Sequence, residues 1–334
     1  MYIVEQAFLL LGGITLFLLG LKYMSENTEK MAGKKMKRIL QGVTRNKFLG
    51  VMTGTCVTAA VQSGIATNII VIGFVNLEAL TFYQASAVIM GANIGTTITA
   101  QLVSLSGNSA FDITAFGSLL AFAGFIFSFF KNEKLKCVGN IMIGFGMLFV
   151  GLEIMSDSIS CFKGFEWFRN IFLVDNPLVL LLNGLFITAI IQSSSAITSI
   201  MIVLATNGLL SFENSMFIIL GANIGTCLAV IIASLNKNLG ARRAAAFNLY
   251  FNVAGSLLFF IPLILFTKDI SGAFMSFSGN LEREIANFHT LFNIAVTLII
   301  LPFLKPFTRF IELTVNDKES KKDKNQKNQR FAAK

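Results

Sequence analysis

Long apolar runs separated by short polar connections follow one another along most of the chain. Several runs approach the roughly 20 apolar residues that a helix needs to cross a lipid bilayer. The pattern therefore predicts an all-α polytopic membrane protein. We identify apolar runs at 7–21, 113–130, 137–152, 178–191, 196–206, 216–235, 244–266 and 288–304.

Two apolar regions are interrupted by amides and hydroxyls without any charged residue. In the first, Gln62-Ser63-Gly64 separates apolar arms at 48–61 and 65–75. In the second, Gln192 to Ser195 separates 178–191 from 196–206. None of the four arms is long enough to span a membrane, so we predict two re-entrant helical hairpins with polar tips. Non-helical backbone at that depth must be buried in protein or line a wet cavity.

The chain contains an internal repeat. The hexapeptide GANIGT occurs at 91–96 and again at 221–226, and aligning 50–105 with 180–235 gives 19 identities in 56 positions. Matching polar residues in one register indicate duplication rather than shared apolar composition. We predict these domains: a first repeat at 1–136, a second repeat at 137–267, an outer loop and closing transmembrane helix at 268–304, and a disordered basic cytoplasmic tail at 305–334.

The placement of basic residues predicts that the two repeats are inverted. The chain carries a net charge of +9, with dense basic clusters at 22–47 and 131–136. Both clusters should be cytoplasmic by the positive-inside rule. The cluster at 22–47 follows the first helix. The cluster at 131–136 precedes the helix that corresponds to it in the second repeat, so these two helices run in opposite directions. We expect a retained first helix in the cell membrane, an outside N-terminus and a cytoplasmic C-terminus. Inverted repeats are typical of secondary transporters with a site at mid-membrane.

The repeated polar groups suit binding of an anion together with a cation. Hydroxyls donate to anions and accept toward cations, and helices that begin at a tip direct free N–H groups at it. The segments 48–77, 79–111, 178–212 and 214–236, which form most of the hairpins and GANIGT helices, contain no Asp, Glu, Lys, Arg or His, and Tyr83 contributes a phenol. A co-bound Na⁺ would then supply the positive charge that the anion needs. A second interpretation is that these hydroxyls and glycines serve helix packing alone. For Asn248 and Asn252, facing the site and bonding between helices both remain open.

The chain resembles the type II sodium/phosphate cotransporter family. The resemblance rests on TAAVQSGIAT at 58–67, TAIIQSSSAIT at 188–198, both GANIGT copies, RRAAAFNLYFN at 242–252 and NFHTLFN at 287–293. It implies phosphate and ion sites at Gln62, Ser63, Gln192, Ser193, Ser194 and Ser195, supported by Thr58, Thr188, Asn93, Asn223, Thr96 and Thr226. The Na⁺ sites are expected among Ser63, Ser193, Ser194, Ser195, Asn93 and Asn223. One departure is Gly64-Ile65, where the family usually has two serines.

These features predict a sodium-coupled symporter that imports inorganic phosphate by alternating access. Two alternatives remain open: a symporter of another anion, such as sulfate or a dicarboxylate, and a phosphate sensor that does not transport. An enzyme is not expected, because the tip segments contain no Lys, His, Asp or Glu to act as a base. We expect no cofactor beyond Na⁺ as the coupling ion. Expected partners are phosphate, Na⁺ and membrane lipid, with a homodimer left open and no nucleic acid.

Overall fold

The protein folds into α-helices, with short 3-10 turns at Ser104–Gly107 and Leu301–Phe303. The computed structural model describes residues 2–42, 46–107, 112–163, 165–166 and 174–316. The all-α prediction is confirmed for this part of the chain. The helices are α1 Tyr2–Gln41, α2 Lys47–Val61, α3 Gly64–Asn76, α4 Phe82–Gly95, α5 Thr97–Val103, α6 Ile113–Ser128, α7 Glu133–Phe162, α8 Pro177–Ile191, α9 Ser194–Thr206, α10 Phe212–Gly225, α11 Cys227–Ser234, α12 Leu239–Ser278, α13 Leu281–Ile300 and α14 Leu304–Thr314.

Several helical stretches are long and apolar enough to cross a membrane, as a multi-pass protein requires. They are Tyr2–Met31, Phe82–Ser106, Glu133–Phe162, Phe212–Ser234, Leu239–Ser278 and Leu281–Thr314. The four hairpin arms α2, α3, α8 and α9 contain only 13 or 15 residues each. The prediction of a polytopic membrane protein is confirmed.

The helix bounds reproduce the sequence repeat. Helices α2, α3 and α4 begin and end 130 residues before α8, α9 and α10. The second arm of each hairpin also contacts the other half, because α3 packs against α11 and α9 packs against α5. This reciprocal exchange joins the second arm of each hairpin to the opposite half of the fold.

The counterpart helices α1 and α7 pack against each other and run antiparallel. Gly13 lies beside Met155, Gly20 lies beside Gly144, and the Asn140 side chain donates to Asn27 Oδ1 at 3.0 Å. A Cβ added to Gly20 would lie 2.6 Å from the Gly144 carbonyl oxygen, so this close crossing requires glycine. Opposite directions of these two helices are what an inverted repeat requires.

Two of the predicted boundaries need correction. The segment 268–278, expected within an outer loop, forms the last turns of α12, which bends at Phe266. Residues 305–314, expected in a disordered tail, belong to α14. Its buried residues, Leu304, Thr308 and Ile311, recur at the spacing of one helix face, a periodicity that counting basic residues overlooks. The rest of the predicted tail, 317–334, lies outside the described residues.

Candidate ion and anion site between the hairpin tips

The first hairpin tip is a two-residue turn formed by Gln62 and Ser63. Gln62 has left-handed backbone angles (φ 57°, ψ 22°), and its N–H donates to the Thr58 carbonyl at 2.7 Å. Ser63 is extended and caps α3, because its hydroxyl accepts from the Ala66 N–H at 3.2 Å. A glutamine in the left-handed region is uncommon and strained, so the surrounding packing must hold this turn.

The second tip repeats this geometry. Gln192 has φ 61° and ψ 29°, and its N–H donates to the Thr188 carbonyl at 2.6 Å. Ser193 caps α9 through the Ala196 N–H at 3.2 Å. The same Gln-Ser pair therefore forms the same turn in both halves, as the predicted pair of polar hairpin tips requires.

Both tips line a single cavity of about 330 Å³, which we call the tip cavity. Its lining includes most of the residues predicted from the sequence. These are Gln62, Ser63, Asn93, Thr96, Gln192, Ser193, Ser194, Ser195 and Thr226. Helices α3 and α9 begin at this cavity, so their first N–H groups give its floor a partial positive charge. The cavity thus combines hydroxyls, amides and helix N-termini, the groups expected of a site for small ions.

Three predicted residues lie behind the tip cavity rather than in its lining. Thr58 and Thr188 are fully buried, and their hydroxyls have no hydrogen-bond partner within the described residues. Asn223 is buried and donates to the Ile219 carbonyl at 3.2 Å. Thr58 and Thr188 instead pack against Gly95 and Gly225 of the GANIGT helices.

The GANIGT segments make only a slight break in their helices. Thr96 separates α4 from α5 but keeps helical angles (φ −64°, ψ −23°), and its hydroxyl donates to the Asn93 carbonyl at 2.7 Å. Thr226 does the same between α10 and α11. Gly91 allows close packing, since a Cβ there would overlap the Val51 carbonyl of α2. These glycines bring each GANIGT helix against a hairpin arm.

A buried amide network supports the cavity wall. Asn93 donates to Ile89 O at 2.9 Å and to Asn248 Oδ1 at 3.4 Å. Asn252 also donates to Asn248 Oδ1, at 3.2 Å, and Asn248 donates to the Cys227 sulfur at 3.4 Å. Asn248 and Asn252 are absent from the cavity lining; Asn248 connects α12 with α4 and α11, while Asn252 bonds to Asn248 within α12.

Comparison with known proteins assigns this arrangement to a family. The Na⁺/Pi-cotransporter family model matches residues 16–157 and 167–279, which contain both tips and both GANIGT segments. The chain belongs to the Na⁺/Pi-cotransporter family. Membership confirms the expectation of a membrane transporter rather than an enzyme.

Relatives in the Na⁺/Pi-cotransporter family differ in how much of their length this chain covers. It is 28% identical to YqeW of Bacillus subtilis over 90% of this chain and 96% of YqeW. It is 27% identical to the "Putative inorganic phosphate export protein YjbB" of Escherichia coli K12, over 92% of this chain but only 55% of that protein. It is 35% identical to the human "Sodium-dependent phosphate transport protein 2B" over 28% of this chain and 14% of that protein. No solved structure matches the chain.

Within this member of the family, the hydroxyls are concentrated at the second tip. Ser194 and Ser195 line the cavity there, and the hydroxyls of Ser193 and Ser195 lie 3.2 Å apart. At the first tip, a Cβ added to Gly64 would lie 2.5 Å from the Thr96 γ-methyl group, so threonine fills that space. The departure noted in the sequence therefore makes the two sides of the cavity chemically unequal.

The two tip glutamines are also held differently. The Gln62 side chain donates to the Ala59 carbonyl at 2.6 Å and accepts from the Thr99 hydroxyl at 2.6 Å. Position 229, the counterpart of Thr99 in the second repeat, is alanine, and Gln192 is exposed. The first glutamine is fixed by its neighbours, whereas the second lacks the equivalent hydroxyl.

Four polar residues that line the cavity were not predicted from the sequence. Lys22, Ser25 and Glu26 reach the cavity from α1, and Asn68 reaches it from α3. Lys22 was interpreted as a marker of membrane orientation because it begins a basic cluster. The usable signal was spacing, since Leu18, Leu21, Lys22 and Ser25 share one helix face.

Proposed function

We propose that this protein is a sodium-coupled symporter of inorganic phosphate that works by alternating access. The observation that carries the proposal is that both hairpin tips line one cavity in a member of the Na⁺/Pi-cotransporter family. Central sites between duplicated halves are the usual arrangement of secondary transporters. The human relative named above is a sodium-dependent phosphate transport protein, which agrees with this substrate pair.

The cavity chemistry suits phosphate. A volume of about 330 Å³ is large enough for a small oxyanion, a sodium ion and some water. The hydroxyls of Ser194 and Ser195 can donate to phosphate oxygens, and the free N–H groups at the start of α9 favour negative charge.

The same cavity offers oxygen ligands for Na⁺. Ser63, Ser193 and Asn93 supply neutral oxygens within the lining, while Asn223 lies behind it. A bound Na⁺ next to phosphate lowers the electrostatic cost of placing the anion against the uncharged side chains of the hairpin tips. This mutual neutralisation is the physical basis of the coupling that we propose.

The proposed membrane orientation places the N-terminus outside and the C-terminus in the cytoplasm. The antiparallel packing of α1 and α7 supports the inversion on which this orientation depends. An inward Na⁺ gradient then drives phosphate import. Because one relative is named as a phosphate export protein, we assign the direction of net flux to the ion gradients rather than to the fold.

The proposal is tested by uptake of labelled phosphate into proteoliposomes that contain the full chain. We expect an inward Na⁺ gradient to accelerate uptake, and replacement of Na⁺ by choline at a constant proton gradient to abolish the acceleration. Equal uptake in both salts would contradict sodium coupling. Phosphate binding without flux would instead favour the sensor.

A second candidate is sodium-coupled transport of another anion, such as sulfate or a dicarboxylate. It is favoured by Gly64 and Ile65, which place no hydroxyls on the first side of the cavity. Competition against labelled phosphate by sulfate, succinate and unlabelled phosphate separates the two. We expect only unlabelled phosphate to compete at concentrations near its own KM.

A further inference from the structure

Helix α1 brings an ion pair to the wall of the tip cavity. Lys22 Nζ lies 3.8 Å from Glu26 Oε1, one helical turn away, and both residues line the cavity. Among the lining residues of the described part of the chain, these are the two that carry a charge. The cavity wall therefore carries one positive and one negative side chain, whereas the hairpins contribute none.

The lysine lies on a helix face that is directed at the tip cavity. Leu18, Leu21 and Ser25 line the cavity together with Lys22, at the spacing of a single face. Close packing of Gly20 against Gly144 holds this part of α1 to α7. The backbone of α1 thus forms a firm support from which the flexible lysine side chain can reach toward the tips.

The pairing between Lys22 and Glu26 is easily exchanged. The Lys22 side chain is 65% exposed and the Glu26 side chain is 50% exposed. Exposed ion pairs at this separation contribute little to stability, because water screens the charges and the long side chains lose freedom. A phosphate in the cavity offers the ammonium a more highly charged partner, with oxygens that accept charge-assisted hydrogen bonds.

We propose that Lys22 is the cation that contacts phosphate and that Glu26 holds it while the cavity is empty. This inference rests on the proposed function, because it takes inorganic phosphate as the substrate. When phosphate binds, the Lys22 ammonium moves to a phosphate oxygen. The Glu26 carboxylate then lacks its partner and attracts Na⁺ to the same cavity. One side-chain exchange thereby makes phosphate binding and Na⁺ binding favour each other.

The test measures binding of inorganic phosphate to the purified full chain by titration calorimetry in NaCl. We expect Lys22→Gln to weaken binding about tenfold, as loss of one charge-assisted contact should. Lys22→Arg should restore most of the affinity. The matched control is Lys30→Gln, which removes an exposed lysine two turns along α1 that is absent from the cavity lining, and its affinity should match the wild type.

The second arm measures how phosphate binding depends on Na⁺. Glu26→Gln should raise the Na⁺ concentration for half-maximal phosphate binding about threefold, and Lys30→Gln should leave it unchanged. The inference is overturned if Lys22→Gln binds phosphate like Lys30→Gln. It is also overturned if Glu26→Gln leaves the Na⁺ dependence unchanged.

Failure of this inference is distinguishable from failure of the proposed function. A wild-type protein that takes up phosphate with Na⁺, while Lys22→Gln behaves like Lys30→Gln, contradicts the role of Lys22 alone. A wild-type protein that binds phosphate without flux contradicts the symporter, and the binding comparison still decides the role of Lys22. A wild-type protein that binds no phosphate contradicts both.

Discussion

The Thr99 hydroxyl donates to Gln62 Oε1 at 2.6 Å, and this contact fixes the side chain at the first hairpin tip. The second repeat has Ala229 at the equivalent position, so Gln192 lacks this support. Of the two tip glutamines, Gln62 is therefore restrained by a threonine hydroxyl that Gln192 lacks. We expect this difference to make the first side of the cavity more preorganised than the second.

We expect Thr99→Ala to raise the KM for phosphate about fivefold, because Gln62 loses a hydrogen bond worth about 1 kcal/mol and gains rotational freedom. Phosphate uptake at saturating Na⁺ provides the measurement. Thr99→Ser keeps the hydroxyl and should retain wild-type kinetics. If the alanine and serine variants are equally impaired, the contact matters for packing rather than for holding Gln62.

Ser194→Ala should lower kcat/KM for phosphate at least about tenfold, since Ser194 lines the cavity and a hydrogen bond to a charged group contributes roughly 1.5–3 kcal/mol. Ser234→Ala is the matched control. Ser234 is also buried, but its hydroxyl donates to the Ile231 carbonyl at 2.7 Å, away from the cavity lining. Similar, modest losses in both variants would indicate that the hydroxyls at the second tip serve packing alone.

Gly221→Ala should lower the melting temperature of the purified protein by several degrees. A Cβ at this position would overlap the Leu181 carbonyl, and such overpacking costs about 3 kcal/mol. Gly73→Ala is the matched control, because a Cβ there meets no atom within 4 Å inside α3. Alanine is favoured over glycine in a helix by about 0.5–1 kcal/mol, so this variant should melt at or above the wild-type temperature. The reverse order would contradict the packing role of GANIGT.

The re-entrant hairpin predicts that both of its ends face the cytoplasm. Single cysteines at Asn46 and Leu77, which are exposed at the two ends of the first hairpin, should resist a membrane-impermeant thiol reagent in intact cells. Both should react after the membrane is permeabilised. Asp112, exposed before α6, lies on the proposed outer side, and a cysteine there should react in intact cells. Labelling of Asn46 and Leu77 from opposite sides would mean that α2 and α3 span the membrane.

Much of this architecture could be predicted from the sequence, because the internal duplication shows which polar residues recur in both halves. Matching Gln62 with Gln192, and one GANIGT with the other, separates functional polar residues from incidental ones and predicts that the tips meet. Lys22 has no such duplicate, since an offset of 131 that aligns Gly20-Leu21 with Gly151-Leu152 places Glu153 at its position, and hydropathy assigns charged residues to the connections. Its approach to the cavity depends on how α1 packs against α7, a tertiary relationship that periodicity alone does not determine. The hydrogen bond from Thr99 to Gln62 likewise could not be predicted from the sequence, because it depends on how α5 packs against the first tip.

The central claim is that both tips enclose one binding site for phosphate and Na⁺, and cysteine protection tests it most directly. Ile65 and Ile191 come from the two hairpins and line the cavity with apolar side chains, so cysteine at either position should preserve binding. The measurement is the alkylation rate of each single cysteine, with Cys56, Cys137, Cys161 and Cys227 replaced. A cysteine at exposed Lys237 is the control, with a rate that should not depend on ligands.

The account predicts that phosphate slows alkylation at both positions, at the same half-maximal phosphate concentration, in NaCl but not in choline chloride. Protection at only one tip, or equal protection in the two salts, would contradict a single shared site.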